Sequence, residues 1–405
     1  MNTLSTTEKV AAGEKSEMQL FGRARLADYC GDMVIYRNLK PLDSRMPNVK
    51  SALRGVGLAS TARPRKQDPE YAKVALWYAD AARKIAGHSQ PPEELLFIGD
   101  TLFNDGNAFL AMQAESGWRG SCFIGSDRLR EEPMVSIDKE NGIYSANRWA
   151  EIGEWVRWLR EEQGFHLDER TLVVIDIDKT ALGAKGRNDH IIDEARIDGA
   201  ARTLSALLGR NFDPTNFVEA YRELNQSRYH CLTEDNQDYL AYICLVLSTN
   251  LVSLEEIKQE VAAGSLDNFD QFIRHVETRM VINNVGGEML RQAHDAVVTS
   301  VRNGDPTPFK RFRRQEFITT LERMGNGADD AGVEELLDTE ITLTEEVWEV
   351  AEWLKERGAV LLCLSDKPDE ASTPNEFVSP DLPPVHQAET HRVGFSVKPI
   401  LDALD

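Results

Sequence analysis

The stretch Thr171–Gly183, TLVVIDIDKTALG, decides the fold. Its first half is a run of β-branched and aliphatic residues with no polar alternation, the pattern of a parallel strand buried on both faces. The run ends on Asp176, skips one apolar residue to Asp178 and reaches Thr180. In open α/β sheets, ligands bind beyond the carboxyl ends of the strands. Two carboxylates at such an end cost free energy unless a metal or a substrate compensates them. One carboxylate can attack phosphorus to give an acyl phosphate, and its neighbour can protonate the leaving oxygen.

Working outward, three further segments repeat the theme. LLFIGDTLFNDGNA (Leu95–Ala108) is a second buried run, delivering Asp100 and, one turn later, Asp105 into a loop rich in Gly and Asn. Carboxylate oxygens with water are what Mg²⁺ prefers; Asp, Asn and Gly are also ordinary turn residues. VLLCLSDKP (Val360–Pro368) is a third buried run, and it presents Ser365 at its end. RPRKQDPEYA (Arg63–Ala72) places Lys66 just before a helix start, where an ammonium can neutralise a nucleophile and a transferred phosphoryl group.

Between Asp176 and Ser365 the texture changes. Residues 185–340 read almost entirely as helices, including 194–208, 239–252, 289–302 and 309–324. Residues 1–17 read as a disordered polar tail and 373–384 as Pro-rich loop, while 18–60 and 385–405 carry little pattern. The expected organisation is a first core part at 18–184, a helical insertion at 185–340 and a second core part at 341–405.

Composition narrows the class. A formal charge of −21 over 405 residues argues against general affinity for nucleic acid or anionic membranes. Five scattered cysteines with no CxxC spacing, a polar N-terminus and no long apolar run point to a cytoplasmic protein without a disulfide framework. Phe309–Arg314, FKRFRR, is the one dense basic cluster, read as a solvated helix face. Lys185–His190, KGRNDH, is read as a hinge or a substrate contact.

Together the four segments resemble the motifs of the haloacid dehalogenase-like (HAD) superfamily of phosphohydrolases. DxDxT is matched by Asp176, Asp178 and Thr180, the strand-ending Ser by Ser365, KPDP by KQDP at Lys66, and GDxxxxD by Asp100 and Asp105. The resemblance implies a Rossmann-like parallel sheet with a large all-helical cap. It implies Asp176 as nucleophile and Asp178 as general acid/base, with Thr180, Ser365 and Lys66 supporting the phosphoryl group. It implies Mg²⁺ held at Asp176, Asp178 (through its main-chain carbonyl), Asp100 and Asp105, and a small phosphorylated substrate.

The motif order departs from the family's. The Lys and GDxxxxD segments precede DxDxT here, which a circular permutation joining the old ends through 121–171 explains. A swapped dimer is the competing explanation, and Lys367 competes with Lys66 as the phosphate clamp. A phosphomutase and a non-catalytic ligand- or partner-binding module are the alternatives to a phosphatase.

Overall fold

The computed structural model describes residues 17–88, 90–283, 288–375, 377 and 381–405; all but the last residue of the tail read at 1–17 and part of the Pro-rich loop lie outside these. The chain divides into two compact units. The first comprises residues up to Ile192 together with Leu321–Ser372 and Leu382–Asp405; the second comprises Asp193–Thr320 and Thr373–Asp381.

The first unit carries ten strands: β1 (Gln19–Ala24), β2 (Val34–Ile35), β3 (Glu94–Gly99), β4 (Arg119–Gly125), β5 (Val135–Asp138), β6 (Ile143–Ala146), β7 (Thr171–Asp176), β8 (Leu343–Thr344), β9 (Val360–Leu364) and β10 (Thr390–Gly394). Seven of them form one sheet in the order β2-β9-β7-β3-β4-β6-β5. All neighbours in it are parallel except the edge hairpin β5–β6. The three apolar runs read from sequence are therefore three adjacent interior strands, β9-β7-β3, and every residue of them is buried. Burial on both faces removes the alternation that marks a half-exposed strand.

Period-two geometry sorts these strands onto two faces. Leu95, Phe97, Leu172, Val174, Leu362 and Leu364 share a core with the helices Pro69–Ile85 and Asn107–Ser116. The opposite face meets helix Glu151–Glu161, where the Trp155 indole N–H donates to Ser121 Oγ at 2.9 Å and its ring lies against Phe123. Helix Glu345–Glu356 packs there on β9 and against Glu151–Glu161. The connection leaving β3 thus runs over one face towards β4, while the connection leaving β7 returns over the other face to β9. Adjacent strands whose exits diverge in this way leave a crevice between their carboxyl ends.

Helix Glu151–Glu161 follows β6 and precedes β7, carrying the chain from the edge of the sheet to its interior. The hairpin β5–β6 and the three-stranded sheet β1-β10-β8 were not expected from sequence. The second unit is helical among its described residues, with a core built around Tyr221, Tyr242, Phe269, Phe272 and Phe312. Its main segment falls inside 185–340, because helix Asp189–Leu208 begins in the first unit and residues 321–340 belong there, while Thr373–Asp381 joins it from beyond β9.

The basic cluster differs from a solvated face. Phe309 and Phe312 are core residues, and Arg313 is buried against Asp238 and Glu316, each at 2.6 Å. In KGRNDH, Arg187 is a buried structural cation bonded to Asp127 at 2.8 Å and Glu346 at 2.7 Å, and Asn188 donates to the Glu340 carbonyl at 2.8 Å.

Candidate active site at the carboxyl end of the central strands

Asp176 ends β7 on the same face as Leu172 and Val174, the face covered by helix Pro69–Ile85. Lys66 stands in the turn that leads into that helix. Its ammonium touches Asp176 Oδ1 and donates to Asp105 Oδ1 at 3.0 Å. Lys66 is 2% exposed, so this is a desolvated contact between residues 110 positions apart in sequence.

Asp105 is fixed by the turn it closes. Its Oδ2 accepts the backbone N–H groups of Asp100 and Thr101, both at 3.1 Å, and the Thr101 hydroxyl at 3.3 Å. Gly99 makes this possible: a Cβ there would lie 2.5 Å from Asp105 Cβ. Asp100, at the end of β3 beside β7, pairs with Lys185 at 2.9 Å, and Lys185 also donates to the Asp100 carbonyl at 3.0 Å. Carboxylate oxygens of Asp100, Asp105 and Asp176 all lie within 4.8 Å of one another.

On the other side of β7, Ser365 follows Leu364, the register partner of Asp176. The Ser365 hydroxyl accepts the Lys367 N–H at 3.1 Å, and its own N–H donates to the Ile35 carbonyl at 3.0 Å. The Lys367 ammonium faces Asp178 Oδ2 at 3.5 Å, so both lysines weighed as the clamp stand at this sheet end, on different carboxylates. The Asp178 carboxylate is not one of the three clustered groups. Thr180 is fully buried; its carbonyl accepts the Thr344 hydroxyl, and its own Oγ1 has no partner among the described residues. Lys179 turns the chain here with φ +65°, a strained value for a side-chain-bearing residue.

Charge in the cluster is unbalanced. Burial pushes the Asp176 carboxyl well above the usual range; Lys66 opposes this, and the Asp105 and Asp100 carboxylates reinforce it. Asp100 is pushed up to about 6, by burial first and then by Asp105, against Lys185. For Asp105 burial also acts upward, but Lys66 and the turn's N–H groups prevail and hold it low. For Lys66 burial opposes the charge, yet Asp105 and Asp176 keep it protonated.

No protein-family model, curated protein or solved structure matches the chain. The chemistry of the site therefore has to be read from its own groups. Two buried carboxylates and a half-buried third, within 4.8 Å of one another, call for more positive charge than Lys66 and Lys185 bring, and an all-oxygen donor set suits a hard divalent cation. Asp105 has both oxygens engaged by Lys66 and the turn. Asp176, bonded to Lys66 through Oδ1, and Asp100, paired with Lys185 through Oδ2, each engage one carboxylate oxygen in these contacts and are the better donors.

Sequence reasoning missed Tyr71, a buried phenol close enough to feel the charges of Lys66 and Asp176. Its position two residues after Pro69 in the Lys66 segment was the available signal. It also left the partner of Lys185 unassigned, which only the approach of the loop after β7 to β3 reveals.

Proposed function

We propose that the protein is a Mg²⁺-dependent phosphohydrolase of the HAD-like kind, in circularly permuted order, acting on a small phosphomonoester through an aspartyl-phosphate on Asp176. One observation carries the reading. Lys66, Asp100 and Asp105, all far from Asp176 in sequence, meet its carboxylate at the crevice between β3 and β7 within a single chain.

In this mechanism Asp176 attacks phosphorus, the P–O bond to the leaving alcohol breaks, and the departing oxygen takes a proton from Asp178. Water then attacks the phosphoryl group, returning a proton to Asp178 and releasing phosphate with the Asp176 carboxylate restored. Lys66 holds Asp176 in place and opposes the charge that builds on the phosphoryl oxygens. The Ser365 hydroxyl and Lys367, on the adjoining strand end, orient those oxygens and Asp178. Asp176 and Asp100, with the Asp178 main-chain carbonyl, would hold Mg²⁺, which when bound supplies further positive charge to the phosphoryl group. Asp105 acts as the anchor that fixes Lys66 and the Asp100 turn.

The helical segment Asp193–Thr320, inserted in sequence between β7 and β9, corresponds in sequence position to the cap that the resemblance implies. Among the described residues no helix is long and apolar enough to cross a membrane, and we place the protein in the cytoplasm.

The test is hydrolysis of p-nitrophenyl phosphate with Mg²⁺ and after chelation, for the wild type and Asp176→Asn. The reading expects turnover only with the metal and background rates in the variant. Turnover after chelation, or an active Asp176→Asn, contradicts it.

A further inference from the structure

Large apolar side chains are exposed at seven described positions, and four of them fall in two loops: Leu102 and Phe103 after β3, Leu129 and Met134 after β4. β3 and β4 are adjacent and parallel, so both loops leave the sheet at the end that carries Asp176. Elsewhere this unit's described Phe and Trp side chains are buried or half-buried, with Phe97, Phe109, Phe123 and Trp155 fully buried. Phe103 is 68% exposed two residues from Asp105. Single exposed apolar side chains are ordinary; four of them on two loops that leave the sheet at the end carrying the carboxylates suggest a binding surface.

The Leu102–Phe103 turn is rigid. The N–H groups of Asp105 and Gly106 both donate to the Thr101 carbonyl, at 3.0 and 3.2 Å, and Asn107 Nδ2 donates to the Phe103 carbonyl at 2.7 Å. The loop after β4 is tied to the same place: the Asp127 N–H donates to the Lys185 carbonyl at 2.8 Å, and the Lys185 ammonium pairs with Asp100. An apolar surface held in position beforehand binds without an ordering cost.

We propose that these two loops form an apolar platform for the organic group of an amphipathic phosphomonoester, an alkyl chain whose phosphoryl end lies at Asp176. The proposal rests on the phosphohydrolase reading and names its substrate class. None of the four side chains has a hydrogen-bonding group suited to a sugar hydroxyl. Charge and apolar surface are instead separated along the sheet edge, as they are along an alkyl phosphate.

The experiment measures kcat/KM with Mg²⁺ for n-alkyl phosphates from ethyl to octyl and for glycerol phosphate, in wild type and in the double variant Phe103→Ser/Leu129→Ser. Full burial of a methylene corresponds to about fourfold, and contact on one side to about twofold, so octyl phosphate should exceed ethyl phosphate on the order of fiftyfold. The double variant should lose most of that dependence and keep the ethyl phosphate rate, since both residues are exposed and neither belongs to the catalytic set. A flat dependence in the wild type, or an equally steep one in the variant, overturns the platform while leaving the phosphohydrolase reading intact. No turnover of any ester overturns both. Sedimentation of both proteins closes the remaining route: a dimer that the double variant splits, with chain-length dependence unchanged, makes the patch a contact between copies and overturns the proposal.

Discussion

Lys66→Met is the most informative single change. It removes the one cation that touches both Asp105 and Asp176 and replaces it with a side chain of similar length. At the 3.0 Å Lys66–Asp105 separation and an effective dielectric of about 20, the attraction is roughly 5–6 kcal/mol before desolvation is subtracted. Breaking one side of a buried pair typically costs about 3–5 kcal/mol, because the charge left behind stays buried. The first unit of the variant should therefore lose about 3–5 kcal/mol relative to wild type at pH 7 in metal-free buffer. Urea unfolding followed by tryptophan fluorescence reads this cleanly, since all seven tryptophans lie in the sheet unit.

The loss should also depend on pH. Without Lys66, Asp105 and Asp176 hold protons in the folded state at pH values where the unfolded chain, with aspartates near about 3.9, has released them. Stability of the variant then falls as pH rises above about 4. In the wild type, Asp105 is held low, so its contribution is present above the unfolded value and fades as pH falls through the folded one. The two proteins should differ least near pH 4 and most near neutrality. Mg²⁺ should return part of the lost stability, about 2.7 kcal/mol at a hundredfold excess over its dissociation constant. A loss under about 1 kcal/mol at pH 7, or one independent of pH, would refute the reasoning about this charge cluster.

Gly99→Ala places a methyl 2.5 Å from Asp105 Cβ and should cost about 1–3 kcal/mol by urea unfolding while depressing aryl phosphatase activity; an unchanged rate would mean that Asp105 does not set the site. Arg187→Met leaves Asp127 and Glu346 buried without their cation and should cost about 3–5 kcal/mol in the same assay. Arg313→Met strands Asp238 and Glu316 in the second unit, so circular dichroism and limited proteolysis should register its loss while tryptophan fluorescence does not. Glu345 is pushed up to about 8, by burial first and by Glu349 and Glu346 against Arg392. Its raised value means stability is lost as pH rises from about 4.3 through 8, and Glu345→Gln should flatten that part of the pH–stability curve.

What the sequence disclosed follows from burial. β3, β7 and β9 are covered on both faces, so they stand out as unbroken apolar runs, and Asp100, Asp176 and Ser365 at their ends stand out by contrast. β10 buries Thr390 and His391, both bonded to Glu340, so no hydrophobic pattern announces it. β1 pairs with it across almost the whole length of the chain, a partnership that no local pattern encodes. β8 has two residues and the strands of the β5–β6 hairpin four each, too short for a period to register. Arg313 misled because a basic run reads as solvated unless its counter-charges are visible, and Asp238 lies 75 residues away. At the site, the convergence on Asp176 was legible because each strand end carries its own polar residue. That Asp105 anchors Lys66 depends on the turn's hydrogen bonds, which spacing alone does not reveal.

Acid-quenched mass spectrometry during turnover of an aryl phosphate with Mg²⁺ tests the nucleophile itself. The account predicts one added phosphoryl group on the peptide containing Asp176, converted by borohydride to the reduced residue at that position and absent from Asp176→Asn. Turnover with the adduct on another residue, or with none while Asp176→Asn remains active, would contradict it.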